Sequence, residues 1–181
     1  MKDLSMHIMD IVQNSVRAQA ANITLTITVE ASWLILKVCD DGTGMDEATL
    51  TRVSDPFYTS RSTRKVGMGL PLIKQTAEQT GGSLQLESAI GKGTKVTARL
   101  GRRHIDRPPM GNIAATAAMM ITGNEGVNLV FEVKQDDAVF SISTREVKDV
   151  LGDVDIRLAS VTSFLKDMIR ENLEELNIEF D

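Results

Sequence analysis

CDDGTGMDEATL, residues 39–50, breaks off a run of apolar residues and hands the chain to a helix. The preceding residues 33–39, WLILKVC, read as a strand, and Asp46 is placed to cap a short helix over 47–53. A turn between the two needs one glycine or two. The stretch supplies Gly42 and Gly44 beside the paired acids Asp40 and Asp41. The same residues suit a flat ligand lying against bare backbone, because glycine has no side chain to block it. What the rest of the chain brings to this place decides between the two readings.

Upstream, apolar residues at Leu4, Ile8, Ile11, Val12 and Val16 keep helical spacing and predict a helix over 4–20. Asp10, Asn14 and Arg17 fall at i, i+4 and i+7 on another face of it. Residues 22–30, NITLTITVE, alternate apolar and Thr, which predicts a half-buried strand paired in an antiparallel hairpin with residues 33–39. Downstream, residues 54–66 have no period and are rich in hydroxyls and cations, so they read as a loop. A helix resumes over 69–80 and stops at Gly81-Gly82. Strands are expected over 83–88 and 94–100, joined around Gly91-Lys92-Gly93.

RRHIDRPP, residues 102–109, is charged and closed by proline, and a domain boundary is placed there. That gives one domain over 1–101, a linker over 102–109, and a small α+β domain over 110–181. In the last, helix 113–121 and strands 127–133 and 138–143 are expected. Ser143 and Glu146 then open a helix with a capping box. A final helix over 160–176 carries an apolar stripe through Val161, Phe164, Leu165, Met168, Leu173 and Leu176. The stripe suits a core, docking on the first domain, or a homodimer contact.

Composition narrows the classes of function. With 42% hydrophobic and 25% charged residues the chain is expected to fold as a globule. The net charge of −5 argues against nucleic acid or an anionic membrane as the partner. No apolar run is long enough to span a membrane, and the N-terminal residues are too polar for a signal peptide. The single cysteine, Cys39, excludes an internal disulfide and suits the cytoplasm; at the end of an apolar strand it reads as an inert thiol.

Four polar clusters occur in order: Asp10 with Asn14; Asp40 to Gly44; the cationic loop ending in Gly67-Met68-Gly69-Leu70; and Gly91-Lys92-Gly93-Thr94. Together they resemble the ATP-binding domain of the gyrase, heat-shock chaperone, histidine kinase and MutL superfamily, the Bergerat fold, over roughly the first hundred residues. DIVQNSVRAQAANITLTI looks most like the MutL version, and the stretches from DPFYTSR onward look like the histidine-kinase version. The resemblance implies an α+β two-layer sandwich: a mixed, mainly antiparallel sheet with helices on one face. It also implies ATP and Mg²⁺ as cofactors.

The implied roles make physical sense. A phosphate-bound Mg²⁺ takes hard oxygen ligands, and the Asn14 amide oxygen resembles the family's magnesium ligand. Asp10, one turn earlier, resembles the acid that works as general base on water or a hydroxyl. Asp40 resembles the adenine-reading aspartate, because a carboxylate accepts from an exocyclic amine and rejects a carbonyl. Gly42, Gly44 and Met45 then line the base and sugar, and Thr94 resembles the threonine that supports the aspartate. Asp41 reads as satisfying its own backbone in the turn. Gly67, Met68, Gly69 and Leu70 open a helix whose free N–H groups suit phosphates. The loop resembles the family's ATP lid, with Phe57 as its anchor and Arg61, among Arg61, Arg64 and Lys65, as a phosphate contact. Arg17 stands where related kinases carry a phosphate-facing lysine. Taken singly, each of these polar residues also reads as solvated surface. No GxxxxGK[ST] occurs, so a P-loop site is excluded.

Three functions stay open. One is a protein kinase of the serine-kinase or split histidine-kinase type, acting on a partner protein or phosphoacceptor. Another is an ATP-gated switch with slow hydrolysis. The third is a nucleotide-sensing module without turnover. HIDRPPM, residues 104–110, faintly resembles a kinase phosphoacceptor motif. Its acid is displaced to Asp106 and it follows the ATP domain, so His104 reads as an exposed linker residue.

Overall fold

The computed structural model describes residues 3–53 and 69–181. Its elements are α1 (Leu4–Arg17), β1 (Asn22–Val29), β2 (Trp33–Asp40), α2 (Glu47–Val53), α3 (Gly69–Gln79), β3 (Ser83–Ala89), β4 (Gly93–Gly101), α4 (Ile113–Gly123), β5 (Asn128–Gln135), β6 (Ala138–Ser143), α5 (Thr144–Leu151) and α6 (Ala159–Glu175). The six strands form one sheet in the order β3-β4-β2-β1-β5-β6. Every pairing is antiparallel except β1 with β5, which run parallel.

Strand periodicity sorts the sheet into two faces. Ile23, Leu25, Ile27 and Val29 of β1 are buried, as are Leu34, Leu36 and Val38 of β2 and Leu129, Phe131 and Val133 of β5. These residues lie under the helices. The opposite face carries Thr24, Thr26, Thr28, Lys37 and Thr97, all half-buried. On it Arg99 stacks 3.9 Å over the Trp33 ring. The architecture is therefore the expected α+β two-layer sandwich with a mixed, mainly antiparallel sheet.

The segment beyond residue 109, expected as a small domain of its own, does not build a separate sheet. β5 pairs with β1 along its whole length, from Asn22↔Asn128 to Val29↔Gln135. Ile113, Ala117, Met120, Leu165 and Ile169 belong to the same hydrophobic core as Leu4 and Ile8. Residues 109–110 are held by α1, whose Leu4 and Ser5 N–H groups donate to Pro109 O and Met110 O at 3.0 and 2.9 Å. Local pattern reading finds hairpins between neighbours; a parallel strand added from far along the chain leaves no local trace.

The stripe on α6 also differs in part from expectation. Val161, Leu165, Ile169 and Leu173 are buried at i, i+4 spacing, whereas Phe164 is 68% exposed. The capping box at Ser143 and Glu146 forms as expected. Among the described residues no helix is long and apolar enough to cross a membrane.

Candidate functional site

Antiparallel register places three polar side chains side by side. Asp40 at the end of β2 pairs with Thr94 of β4, and Thr94 pairs with Ser88 of β3. All three share the parity of Val38, Val96 and Leu86, so they lie in one row on the helix-covered face. α1 lies over the end of this row. Its core-facing stripe runs Ile8, Ile11, Val12 and ends in the buried Ser15.

The Asp40 carboxylate is held from three directions. Oδ1 accepts from Gly42 N at 2.9 Å and Thr94 N at 3.1 Å, and Oδ2 accepts from Ser15 Oγ at 2.5 Å. A carboxylate offers roughly four acceptor positions. Among the described residues three are filled, and the remaining one lies on Oδ2. The support from residue 94 is thus its main-chain N–H. The Thr94 hydroxyl instead contacts Ser88 Oγ at 2.9 Å. Ser88 Oγ also accepts from Met45 N and donates to Gly93 O, both at 2.9 Å. Asp40, Ser88, Gly93 and Thr94 line one depression together with Cys39, Glu87 and Lys95, whose strand parity is opposite to that of the row Asp40, Thr94 and Ser88.

The glycines of the turn serve the protein's own backbone. A Cβ on Gly42 would stand 2.6 Å from Ala18 O, and one on Gly44, at φ +68°, 1.9 Å from Ala89 O. Gly93, at φ +80°, would meet Asp40 O at 1.9 Å. The turn is pressed between the end of α1 and the β3–β4 hairpin, with Thr43 N donating to Ala18 O and Gly91 N to Thr43 O, each at 2.8 Å. Asp41 meets its own backbone N–H, as expected of the turn, and also reaches across to the start of β1. It accepts from Ala21 N at 2.8 Å and Asn22 N at 2.9 Å, and from Asn22 Nδ2 at 2.8 Å. These donors, the Asn22 N–H first, hold its carboxyl below the usual 3.8. Asp46 caps α2 as expected, accepting from Thr49 N at 2.7 Å.

Toward the other end of the cleft, Asp10 and Asn14 stand one turn apart on α1, both half-buried. α3 begins against them: a Cβ on Gly69 would come 2.8 Å from the Asp10 Cβ. This close approach brings the N-terminus of α3 to the acid, and Leu70 packs half-buried against the core. Arg17 is exposed and its Nη1 donates to Asn14 Oδ1 at 3.3 Å. Phe57, Arg61, Arg64, Lys65, Gly67 and Met68 lie outside the described residues.

Among the described residues no group of three or more His, Cys, Asp or Glu side chains could cage a metal ion. The donor set at α1, one amide oxygen beside one carboxylate, fits a cation that arrives with phosphate oxygens and water completing its shell. His104 sits elsewhere. It follows the Gly101 end of β4, which pairs with Trp33, whereas Asp40 pairs with Thr94 at the opposite end. At about 3.3 Å per residue the two ends are on the order of 20 Å apart.

Sequence reasoning missed two residues, Ser15 and Ser88. Ser15 left one signal: it occupies the i+3 and i+4 position of the apolar set Ile11 and Val12, where a polar side chain needs a partner.

Residues 2–104 match the family described as histidine kinase-, DNA gyrase B-, and HSP90-like ATPase. The sensor protein kinase FleS of Pseudomonas aeruginosa is 38% identical over 92 residues, which is 50% of this chain and 23% of that protein. The sensor kinase CckA of Brucella abortus is 34% identical over 83 residues, 45% of this chain and 9% of that one. Sporulation kinase C of Bacillus subtilis is 30% identical over 87 residues, 47% and 20% of the two chains. The chain thus spans less than a quarter of the length of these relatives. Among solved structures, the N-terminal domain of a DNA repair protein superposes with a TM-score of 0.59 at 14% identity. It covers 84% of this chain and 58% of that one, a likeness of fold.

Proposed function

This chain belongs to the family of histidine kinase-, DNA gyrase B- and HSP90-like ATPases, and from that premise we propose that it binds Mg²⁺-ATP and acts as a protein kinase on a partner protein. The observation that carries the nucleotide is the Asp40 carboxylate. Two main-chain N–H groups and the Ser15 hydroxyl orient it, and one acceptor position is left for an amine. Adenine offers that amine and guanine offers a carbonyl in its place. Asn14 would hold the magnesium, which supplies charge neutralisation at the phosphates. The N-terminus of α3, brought against α1 by Gly69, would turn its free N–H groups to the phosphate oxygens.

Transfer needs an acceptor oxygen or nitrogen to attack the γ-phosphorus while the bond to the β–γ bridging oxygen breaks and ADP leaves. Asp10 would take the proton of an attacking hydroxyl. The names of the relatives, sensor and sporulation kinases, favour a protein as acceptor over water. The partner would be a second protein of the serine-kinase or histidine-kinase substrate type, or another copy of this chain.

Incubation of the full chain with γ-labelled ATP and Mg²⁺, alone and with co-purified proteins, tests the reading. Label on a protein supports kinase action. Free phosphate without protein label supports an ATP-gated switch instead, and neither supports a sensing module. Asp10→Asn is expected to abolish turnover while binding of ATP persists; a fully active variant would remove Asp10 from the role of base.

A further inference from the structure

Ser88 has no part in the reading above, yet its hydroxyl touches Met45 after the turn, Gly93 of the β3–β4 hairpin and Thr94 together. The directions of its hydrogen bonds follow from what each partner can do. Gly93 O can only accept, so the single Ser88 hydroxyl proton goes to it, at 2.9 Å. Met45 N–H can only donate, and it fills one Ser88 lone pair at 2.9 Å. The remaining contact, 2.9 Å between Ser88 Oγ and Thr94 Oγ1, must then be donated by Thr94. That commits the only hydroxyl proton of Thr94. Its oxygen, on the residue that pairs directly with Asp40 across β2 and β4, is left as an acceptor.

We infer that Ser88 is a positioning residue for purine specificity: by taking the Thr94 proton it makes Thr94 Oγ1 an acceptor, so the row Asp40–Thr94 selects a 6-amino over a 6-keto purine nucleotide. The inference rests on the adenine-nucleotide reading and names what enforces it. Asp40 alone would leave a hydroxyl beside it free to rotate and donate to a keto oxygen, which would blunt the discrimination. With the Thr94 proton spoken for, a keto oxygen meets two acceptors and no donor, an arrangement that leaves buried polar groups unpaired. The chain offers this arrangement through strand register alone, since Asp40, Thr94 and Ser88 are direct cross-strand neighbours.

The test is the ratio of dissociation constants for ITP and ATP, measured by calorimetry on the full chain with Mg²⁺. In Ser88→Ala the Thr94 hydroxyl regains a free proton and can donate to the keto group. The preference for ATP is expected to fall about tenfold, mostly through tighter ITP binding. Ser88→Thr, which keeps the hydroxyl, is expected to keep the preference. In a Thr94→Val background Ser88→Ala is expected to leave the ratio unmoved. An unchanged ratio in Ser88→Ala, or equal weakening of both nucleotides, would overturn the inference while leaving the adenine reading intact. Should circular dichroism show Ser88→Ala unfolded, Thr94→Val decides: loss of the acceptor must weaken ATP more than ITP, and the reverse order overturns the inference. If the wild-type chain binds neither nucleotide, the adenine reading fails and this inference with it.

Discussion

The Ser15 hydroxyl stands 2.5 Å from Asp40 Oδ2, joining the last core-facing position of α1 to the end of β2. The bond fixes the plane of a carboxylate whose other oxygen is already filled by Gly42 and Thr94 N–H groups. Ser15→Ala is therefore expected to weaken ATP binding, by about 1.5–3 kcal/mol if the full value of a hydrogen bond to a charged group is lost. Titration calorimetry on the folded variant measures it. Binding at wild-type strength would mean that the main-chain donors orient Asp40 without help.

Gly44, Gly93 and Gly91 all have positive φ, yet their surroundings differ. An added Cβ at Gly44 or Gly93 meets a carbonyl oxygen at 1.9 Å, while at Gly91 nothing lies within 4 Å. Gly91→Ala should cost only the left-handed backbone, about 1–2 kcal/mol. Gly44→Ala and Gly93→Ala should cost clearly more, because the hairpin must move off the turn. Urea denaturation of the three variants gives the order, and equal costs would contradict the packing described.

How much of this was readable beforehand depends on the range of the interaction. The turn announced itself because Asp40, Gly42 and Gly44 are unusual neighbours, and α1 did so through its period. The packing demand on the glycines was not readable: an added Cβ would meet Ala18, Ala89 and Asp40 main-chain atoms, brought there by tertiary packing that no local pattern encodes. Ser88 was invisible for the same reason. A serine near the end of a strand is unremarkable until register puts it beside Thr94 and Asp40. The placement of β5 against β1 likewise depends on pairing between distant segments, which is why residues 110–181 read as a separate domain.

Asp41 ties the α1–β1 loop to the end of β2, and its carboxyl is held below 3.8 chiefly by the Asn22 N–H. A depressed carboxylate contributes stability that is full above its unfolded value and is lost as pH falls through the lower folded value. The stability difference between wild type and Asp41→Asn is thus expected to be greatest near neutral pH. It should shrink below about pH 4. Denaturation at pH 7 and at pH 3 checks it; a difference that grows on acidification would contradict the sign.

The C-terminal tail is latched by two arginines. Arg102 donates to Glu30 O at 3.2 Å and Glu179 O at 2.5 Å, and Arg107 reaches Phe180 O at 3.3 Å and the Asp181 carboxylate at 2.7 Å. Arg102 is 8% exposed, so its removal takes away a buried side chain together with both of its hydrogen bonds to main-chain carbonyls. Arg102→Ala is expected to destabilise the chain by about 1–3 kcal/mol and to speed amide exchange in residues 178–181. Exchange unchanged in the tail would show that Arg107 and Gln135, which accepts from Glu179 N at 3.0 Å, hold it without Arg102.

The central claim is that Asp40 seats adenine at the end of the sheet under α1. Calorimetric titration of the wild-type chain and of folded Asp40→Asn with Mg²⁺-ATP tests it most directly. The expected result is saturable binding to the wild type and at least a tenfold loss in the variant, since an amide in place of the carboxylate brings a donor to face the amine. No heat from ATP or ADP with the wild type, or equal affinity in the variant, would contradict it.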